Sequence, residues 1–502
     1  MNEKLSLQGI RCVLVNPHLF PIDLRGEVQT SNEGDKHESG MNFGVLVAAN
    51  SLMRAGAEVE IVDLQAMAQT WQQALTAAIE RGSTRMVGVG TLSVYSFLPL
   101  VEILQFVRSI DPEISTVAGG QNAQNLPRLL ARSGATHLLD YLVCGDGEIA
   151  IVKVAKAILD HNAPAMQGLT RPSSGEPVLG QFTQRVPLDR ENSFLDYSLY
   201  PNFRHLWPVI EESRGCPYKC DFCANPLQGG AAIRFKAPEL LVDEVVHVYK
   251  RYNASGFLPT VLMTSIFGVR TSVARRFFDL LQRTEMEPRF VASTRVDLPH
   301  EDYLSVGARY FDQMHFGFES GSPDVIRRML KTDSPARYLS RAADTLAAWR
   351  DKGVHTGVNF IIGYLGETQR SVEESIAWLD GHRSCISSVW GGGLMAYPDS
   401  PFARVFRLHE MQYGASYEAV SDYCDMLQTW PINPSRELKY KDVLQYTDRV
   451  HDLFYDAASF YAHYKWYVGP QTNRDTVDFI PQDIFASRFK LNTTSRVQSK
   501  LG

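Results

Sequence analysis

Residues 211–226 read EESRGCPYKCDFCANP and contain Cys216, Cys220 and Cys223 in the spacing CxxxCxxC. Three thiolates on one short loop are suited to ligating three irons of a [4Fe–4S] cluster, which leaves the fourth iron open to another ligand. An apolar run over residues 206–210 precedes the loop, as a strand that leads into it would. The alternatives are three unrelated thiols or part of a zinc site, but no second CxxC or HxxxH pair lies nearby to complete such a site. The stretch therefore predicts a cluster held by these three cysteines.

The composition is that of a globular protein. The chain has 502 residues, of which 44% are hydrophobic and 21% charged, so two or three domains are expected. The net charge of −6 and the lack of a Lys/Arg run argue against nucleic acid as the main partner. The clustering of three of the seven cysteines favours a reducing compartment over a disulfide framework. No apolar segment suits a signal peptide or a membrane span, so we expect a cytoplasmic protein without a membrane partner.

Residues 1–165 alternate between predicted strands and helices. Five strand candidates occur in this part, at residues 11–16, 59–64, 86–90, 115–118 and 141–144. Such β/α alternation predicts a Rossmann-like, doubly wound parallel sheet that binds ligands at the carboxyl ends of its strands. A generic nucleotide-binding domain, or one that binds nothing, is the alternative, although no GxGxxG follows the first strand.

A second β/α alternation covers residues 206–404, after a connecting segment at 166–205 that we expect to wrap the junction. Six β/α units follow the cysteine loop, which predicts a partial (β/α)6 barrel with the loop at its open, carboxyl end. Residues 405–502 are rich in Tyr and Trp and predict a mostly helical cap. That cap is either a packing layer or a lid that closes the barrel and selects the substrate.

With Phe222 directly before the last cysteine, the loop resembles that of the radical S-adenosylmethionine (SAM) enzymes. The first 165 residues resemble the cobalamin-binding domains that precede many radical SAM domains. That resemblance rests on short motifs after successive strands, namely Asn16-Pro17, Leu92-Ser93, Gly119-Gly120 and Gly145-Asp146-Gly147-Glu148. Glycines there permit the close backbone approach that a large flat ligand needs. The resemblance implies three cofactors: a [4Fe–4S] cluster, SAM and cobalamin.

The same resemblance assigns residues to SAM. The stretch FESGS at 318–322 implies that Glu319 and Ser320 meet its ribose or methionine portion, while Phe222 and the pair Ile361–Ile362 flank its adenine. Arg295, after the third barrel strand, is predicted to pair with the SAM carboxylate; a structural surface arginine is the alternative. The stretches GYLGET at 363–368 and YPDSP at 397–401 match two further family turns.

Two stretches depart from that family. Residues 35–40, DKHESG, match the DxHxxG motif, in which a histidine ligates cobalt. Asp35 would accept a hydrogen bond from the other ring nitrogen of His37 and so orient the imidazole. A solvated polar loop is the alternative, and in that case the loop at 91–96 would lie closest to the lower face of the cobalamin. After the second barrel strand, Thr264-Ser265-Ile266-Phe267 replaces the family's acidic pair, which puts any transferred substrate identity in doubt.

The resemblance implies a cobalamin-dependent radical SAM methyltransferase. Such enzymes methylate an unactivated carbon or a phosphinate phosphorus through a 5′-deoxyadenosyl radical and methylcobalamin. A non-methylating ring contraction, cyclisation or oxidation is the alternative, and a catalytically silent cobalamin-binding protein is a third. RNA methylthiolation is disfavoured because no basic extension is visible. The expected partners are a small-molecule substrate and an external electron donor of the flavodoxin or ferredoxin type; the sequence indicates nothing about oligomeric state.

Overall fold

The structure is a computed structural model. It describes residues 6–17, 41–64, 70–92, 94–161, 185–224, 232–252, 259–397, 400–418 and 430–455. Within these ranges no helix combines the length and the apolar character that crossing a membrane requires.

The N-terminal unit is a five-stranded parallel sheet with helices on both faces, which confirms the predicted doubly wound fold. Its strands are β1 (Arg11–Asn16), β2 (Glu58–Asp63), β3 (Thr84–Gly90), β4 (Ser115–Gly119) and β5 (Tyr141–Val143), in the order β2-β1-β3-β4-β5. Its helices are α1 (Phe43–Arg54), α2 (Trp71–Glu80), α3 (Phe97–Ile110), α4 (Leu126–Arg132) and α5 (Gly147–Leu159). The strand order reverses between β1 and β3, where ligands of such sheets bind. The register pairs Gly90 with Gly119 at that carboxyl edge.

The central unit is an open parallel barrel of six strands, as predicted. Its first strand is β6 (Val209–Glu211), and the short antiparallel pair β7 (Ser213–Arg214) and β8 (Arg234–Phe235) then brackets the cysteine loop. The remaining strands are β9 (Thr260–Met263), β10 (Phe290–Arg295), β11 (Phe311–Glu319), β12 (His355–Ile362) and β13 (Ser388–Gly393), in the order β13-β12-β11-β10-β9-β6. The surrounding helices are α6 (Pro238–Arg251), α7 (Thr271–Leu281), α8 (Glu301–Gly307), α9 (Pro323–Arg328), α10 (Pro335–Asp351) and α11 (Gln369–Gly381).

Helical spacing of apolar residues explains how these helices dock on the barrel. In α7 the buried residues are Ala274, Phe277, Phe278 and Leu281, which recur at the i, i+3, i+4, i+7 spacing of one helix face. Phe278 stacks on Tyr310 and meets Phe311 of β11 edge-on. Aromatic pairs of this kind add about 0.5–1.5 kcal/mol each beyond their buried area. The barrel wall is therefore rigid where it carries the site.

The C-terminal part combines helices with a small antiparallel sheet. The helices are α12 (Pro401–Arg404), α13 (Phe406–Tyr413) and α14 (Tyr440–Phe454), and the sheet joins β14 (Met395–Ala396), β15 (Ser416–Tyr417) and β16 (Trp430–Asn433). Within its described residues the region is mostly helical, as expected, and β16 adds a strand that the aromatic pattern did not predict. Paired strands in so short a sheet follow from contacts distant in sequence, which a local pattern does not reveal.

The connecting segment links the two sheets through two tyrosines. The Tyr200 hydroxyl accepts hydrogen bonds of 3.1 Å from Asn16 Nδ2 and from the Asn42 N–H, at the carboxyl end of β1. The Tyr197 hydroxyl donates to the Val209 carbonyl of β6 at 2.5 Å. Both side chains are buried, so this segment helps to hold the N-terminal sheet against the barrel.

Candidate active site between the two sheets

The cysteine loop follows β7 at the carboxyl end of the barrel. Cys216 and Cys220 are buried and Cys223 is partly exposed; none of the three forms a disulfide. A hydrogen bond of 3.2 Å from the Cys223 N–H to the Cys220 carbonyl closes the turn. Within the described ranges no three His, Cys, Asp or Glu side chains converge closely enough to hold a metal ion. The three thiols thus share one loop, two of them buried and one partly exposed.

Two cations surround the buried thiols. Burial raises the pKa of the Cys216 thiol, while the charges of Arg295 and Lys331 act in the opposite direction. Arg295 Nη1 lies 3.5 Å from Cys220 Sγ. Positive charge and hydrogen-bond donors near the sulfurs stabilise an anionic, thiolate-ligated cluster. They also tune its reduction potential. The donor set and its cationic surroundings therefore fit an iron–sulfur cluster.

Arg295 is more engaged than the sequence predicted. Its Nε and Nη2 donate to Asp297 at 2.9 and 3.0 Å, and Nη2 also donates to the Lys331 carbonyl at 2.8 Å. Its guanidinium carbon lies 4.0 Å from the Tyr218 ring centroid. Nearly all of its donors are thus occupied beside the cysteine loop, and the predicted contact with the SAM carboxylate would have to compete with them. The alternative of a surface arginine is wrong, since the residue is 4% exposed.

Glu319 and Ser320 end β11 next to the cysteine loop. Glu319 adopts a left-handed backbone, with φ +72°, and its Oε1 lies 3.2 Å from Lys331 Nζ. The Lys331 ammonium also lies 6.0 Å from the Phe222 ring centroid, which brings three site residues together. A non-glycine residue held at positive φ stores strain of about 1–3 kcal/mol, which is typical of functional sites. Lys331 was missed because no motif marks it in the sequence.

Phe222 lies beside only one residue of the predicted pair at 361–362. Phe222 and Ile361 pack against the same buried cluster, which includes Tyr364 and Leu365. Ile362 points to the other face of β12, into the main core, because successive strand residues alternate in direction. Ile361 is therefore the residue of the predicted pair that shares a side with Phe222.

A carboxylate that the sequence did not single out fixes the cysteine loop. The Tyr364 hydroxyl donates to the Asp221 carboxylate, whose two oxygens lie 2.7 and 2.6 Å away, and its oxygen also lies 2.9 Å from the Arg328 carbonyl oxygen. Burial raises the pKa of Asp221 to about 6, although the hydrogen bond from Tyr364 opposes the shift. The second residue of the GYLGET turn thus anchors the middle of the loop.

A cavity of about 530 Å³ lies between the two sheets. On the N-terminal side it is lined by predicted cobalamin residues, namely Leu92, Gly119, Gly120, Gly145 and Glu148. On the barrel side it is lined by residues from the strand ends around the cysteine loop, namely Glu211, Ser213, Arg214, Gly215, Met263, Thr264 and Ser265. Ser93 and His37 lie outside the described residues. The two domains thus present their strand carboxyl ends to one space, and Gly215 on its wall adjoins Cys216.

Glycine backbone forms the N-terminal wall of this cavity. Gly120 has φ +114°, and a Cβ there would lie 2.3 Å from the Thr91 carbonyl oxygen. The Asn122 N–H donates to that same carbonyl at 3.2 Å, and the Thr91 N–H and hydroxyl donate to the Gly119 carbonyl at 2.7 and 2.9 Å, so the loops after β3 and β4 are closely joined. Walls made of backbone admit a broad flat ligand, which the side chains of larger residues would exclude. The wall fits a corrin.

We expect Gly120→Ala to weaken cobalamin binding. The added Cβ meets the Thr91 carbonyl in a conformation that L-residues avoid, at a cost of about 1–3 kcal/mol. If the loops part to relieve this strain, affinity falls roughly tenfold for each 1.4 kcal/mol. The measurement is cobalamin titration together with thermal unfolding. Gly134→Ala is the control, because Gly134 also has positive φ (+68°) but no atom within 4 Å of the built Cβ. Equal affinities in the two variants would contradict the role of Gly120.

An ion-pair network joins the two domains at the rim of the cavity. Arg214 Nε and Nη2 each lie 2.8 Å from a Glu211 oxygen, Nη2 lies 2.9 Å from Glu148, and Nη1 lies 2.9 Å from Asp146. Arg234 Nη1 adds a contact of 2.7 Å to Asp146. Asp146 and Glu148 belong to the Gly-Asp-Gly-Glu stretch after β5, whereas Arg214 stands two residues before Cys216. The carboxylate of Glu148, predicted to contact cobalamin, is thus held by the cysteine-loop arginine.

The loop that lacks the family's acidic pair faces the same cavity. Thr264 and Ser265 line it, and the Thr264 hydroxyl lies 2.6 Å from that of Ser213. Neutral hydroxyls of this loop, and no carboxylate from it, therefore line this part of the cavity wall.

Family models match both domains. The model of the Radical SAM superfamily matches residues 210–379, and that of the B12 binding domain matches residues 37–155. An uncharacterized methyltransferase of Pyrococcus horikoshii is 24% identical over 344 residues, which cover 65% of this chain and 70% of the relative. The ribosomal protein uS12 methylthiotransferase RimO of Azorhizobium caulinodans is 28% identical over 243 residues, 43% of this chain and 51% of the relative. The chain thus spans about half of that relative.

Solved structures share the whole architecture. The radical SAM methyltransferase TsrM from Kitasatospora setae, with tryptophan substrate and a SAM analogue bound, has a TM-score of 0.68 at 19% identity, covering 96% of this chain and 95% of that one. OxsB, a cobalamin-dependent SAM radical enzyme, has a TM-score of 0.68 at 14% identity, covering 88% and 66%. Fold and site together define an iron–sulfur enzyme that uses SAM and cobalamin. The chain thus combines a B12-binding domain and a Radical SAM domain in one fold, and it is similar to cobalamin-dependent radical SAM methyltransferases.

Proposed function

We propose that the protein methylates an unactivated carbon, or a phosphinate phosphorus, of a small-molecule biosynthetic intermediate. The observation that carries the proposal is the cavity that the strand ends of both sheets line, with the cysteine loop on its rim. A 5′-deoxyadenosyl radical and a methyl group have to reach one substrate, and two such sheets facing each other meet that requirement. The tryptophan bound to TsrM supports a substrate of small size.

Each group of residues has a role in this proposal. When bound, the cluster supplies one electron to SAM, and cobalamin carries the methyl group. Cys216, Cys220 and Cys223 hold the cluster, and Arg295 donates a hydrogen bond to the thiolate of Cys220. Lys331 and Glu319 present a paired ammonium and carboxylate beside Phe222, which suits the zwitterionic amino-acid end of SAM.

The N-terminal side of the cavity positions the second cofactor. The backbone at Gly119 and Gly120 would lie against the corrin, while Arg214 and its carboxylate partners hold the two walls together. We include ligation of cobalt by His37 in the same proposal. Its only support is the sequence motif at residues 35–40.

Non-methylating chemistry in the same cavity is the second candidate, favoured by the neutral Thr264–Ser265 loop. Incubation of the reduced, cobalamin-loaded protein with SAM deuterated in its methyl group separates the candidates without the substrate. We expect the label on cobalamin and 5′-deoxyadenosine in solution, both read by mass spectrometry. 5′-Deoxyadenosine without labelled cobalamin would contradict methyl transfer, and the absence of both would indicate a silent cobalamin-binding protein.

A further inference from the structure

Two side-chain hydroxyls meet on the barrel-side wall of the cavity. Ser213 begins β7 and Thr264 follows β9, and both residues line the cavity. Ser213 Oγ lies 2.6 Å from Thr264 Oγ1, which also accepts a hydrogen bond of 3.1 Å from the Ile266 N–H. We call Ser213 and Thr264 the hydroxyl pair. Thr264 is the more exposed of the two, so a ligand in the cavity meets its hydroxyl first.

A buried carboxyl group lies behind the hydroxyl pair. Glu212 is 4% exposed and stands between Glu211 and Ser213, which both line the cavity. Because successive residues of an extended chain point in opposite directions, the side chain of Glu212 points away from the cavity. Its carboxyl group nevertheless hydrogen-bonds to the side chains of the hydroxyl pair. Glu212 therefore acts on the cavity only through these two hydroxyls.

Folding alone does not account for this carboxyl group. Oε2 of Glu212 is buried and has no hydrogen-bond partner among the described residues. An unsatisfied buried acceptor destabilises a fold, so such a group calls for another explanation. Burial raises the pKa of Glu212 to about 7, although hydrogen bonds from the hydroxyl pair oppose the shift. Above that pKa the group carries a negative charge directly behind the wall.

Titratable groups on several elements surround Glu212. Glu211, its neighbour in the chain, raises the pKa of Glu212, and Lys236, between β8 and α6, lowers it. The Lys236 ammonium is paired with the buried Glu244 of α6. Burial raises the pKa of Tyr303 on α8, and the charge of Glu212 adds to that shift. The nearest cation is thus shared with another carboxylate, and no described side chain forms an ion pair with Glu212 itself.

The ionised carboxylate fixes the direction of the hydroxyl pair. Each hydroxyl has one proton to donate, and a carboxylate only accepts. With Glu212 ionised, one hydroxyl donates to the carboxylate and the other donates within the pair. Both protons are then engaged on the side away from the cavity. The wall therefore offers oxygen lone pairs to a ligand, which suits an N–H or O–H donor.

The charge around the cavity favours the same kind of ligand. Three carboxylates line it, those of Asp146, Glu148 and Glu211, and one guanidinium, that of Arg214. Arg234, which binds Asp146, contributes a second guanidinium to the network. One negative charge is left over in this network before the carboxyl group behind the hydroxyl pair is counted. Such a surface attracts cations and repels anions.

We infer that the barrel-side wall at Ser213, Thr264 and Glu212 binds an amino or hydroxyl group of the substrate and rejects anions. The inference rests on the proposed function, which places cobalamin against the opposite wall and the substrate between the two. It also chooses between the two targets of that proposal. A carbon next to an amino or hydroxyl group suits this wall, whereas a phosphinate anion would face lone pairs and negative charge.

Ligand exchange on Co(III) tests the polarity of this wall without the substrate. The protein is loaded with hydroxocobalamin in the absence of reductant, and azide, an anion without N–H groups, is titrated against the water on cobalt while the visible spectrum is recorded. Above the pKa of Glu212 we expect azide to bind about tenfold more tightly to Glu212→Gln than to the wild type, because the variant removes the charge and its amide can donate to the hydroxyl pair. The difference should close as pH falls below about 7, where the wild-type carboxyl is protonated.

Two substitutions of Thr264 keep the test decisive if Glu212→Gln does not fold. Thr264→Val removes the hydroxyl that faces the cavity but leaves the charge behind it, so we expect a smaller rise in azide affinity than in Glu212→Gln. Thr264→Ser keeps the hydroxyl and should match the wild type. Glu287→Gln is the matched control, since Glu287 is exposed and precedes β10 at the amino end of the barrel, away from the cavity.

The failure of the inference and that of the proposed function give different results. Equal azide affinities in the wild type, Glu212→Gln and Thr264→Val, or no azide binding in any of them, would overturn the inference. A wild-type protein that does not bind hydroxocobalamin would contradict the proposed function instead.

Discussion

Replacing Arg214 by methionine is expected to cost about 3–5 kcal/mol of unfolding free energy, the range measured when one partner of a buried ion pair is removed. Asp146, Glu148 and Glu211 would then face one another with Arg234 as the only nearby cation seen in the described part of the network. The three carboxylates are largely buried, so water would not compensate for the loss. Denaturant titration measures the cost, and cobalamin retained through gel filtration reports whether the domains have parted.

Two further variants make this result interpretable. Lysine at position 214 keeps the positive charge but lacks the several N–H donors with which the guanidinium contacts three carboxylates. We therefore expect Arg214→Lys to lower the unfolding free energy by less than Arg214→Met does. Arg276→Met removes an exposed ion pair with Glu239, in which both side chains are about half exposed, and should leave the unfolding free energy nearly unchanged because solvent screens such a pair. An Arg214→Met protein as stable as the Arg276→Met protein, with cobalamin retained, would show that the network does not hold the domains together.

The network also predicts a dependence on pH. Burial alone would raise the pKa of Asp146, but the hydrogen bonds and charges of Arg234 and Arg214 outweigh burial and hold it below its usual range. A carboxyl with a folded pKa below its unfolded one contributes its full stability above the unfolded pKa of about 3.9 and loses it as pH falls further. The stability difference between wild type and Arg214→Met should therefore shrink as pH falls, because protonation removes the ion pairs of the wild type and the carboxylate repulsion of the variant.

Cys220→Ser is expected to abolish the cluster, and with it formation of 5′-deoxyadenosine. Serine oxygen is a poor substitute for thiolate sulfur toward iron, and Cys220 is the thiol that Arg295 contacts. Iron and sulfide analysis after anaerobic reconstitution measures the loss. Cys385→Ser is the control, since Cys385 is a partly exposed free thiol that lies outside the loop. Iron, sulfide and turnover retained in Cys216→Ser, Cys220→Ser and Cys223→Ser alike would refute the assignment.

The sequence predicted both sheets because their strands are short apolar runs separated by amphipathic helices. This pattern can be recognised from the sequence without knowing which residues are in contact. It also predicted the cysteines, Phe222, Glu319 and the glycines around Gly120, which sit in motifs with fixed spacing. It did not predict Lys331, the Asp221–Tyr364 contact or the partners of Arg214. These are ordinary residues whose roles arise when segments distant in sequence fold together. Glu148 is an example: its motif predicts that it lines the ligand cavity, but nothing in the sequence predicts its ion pair with Arg214.

The central claim is that the cluster and cobalamin face one cavity, and a magnetic measurement tests it most directly. Electron paramagnetic resonance of the anaerobic protein, with the cluster reduced and cobalt in its Co(II) state, reports whether the two spins interact. We predict broadened or split signals that are not the sum of the separate centres, and a weaker interaction in Arg214→Met. A spectrum that equals the simple sum of the two isolated centres would contradict the account.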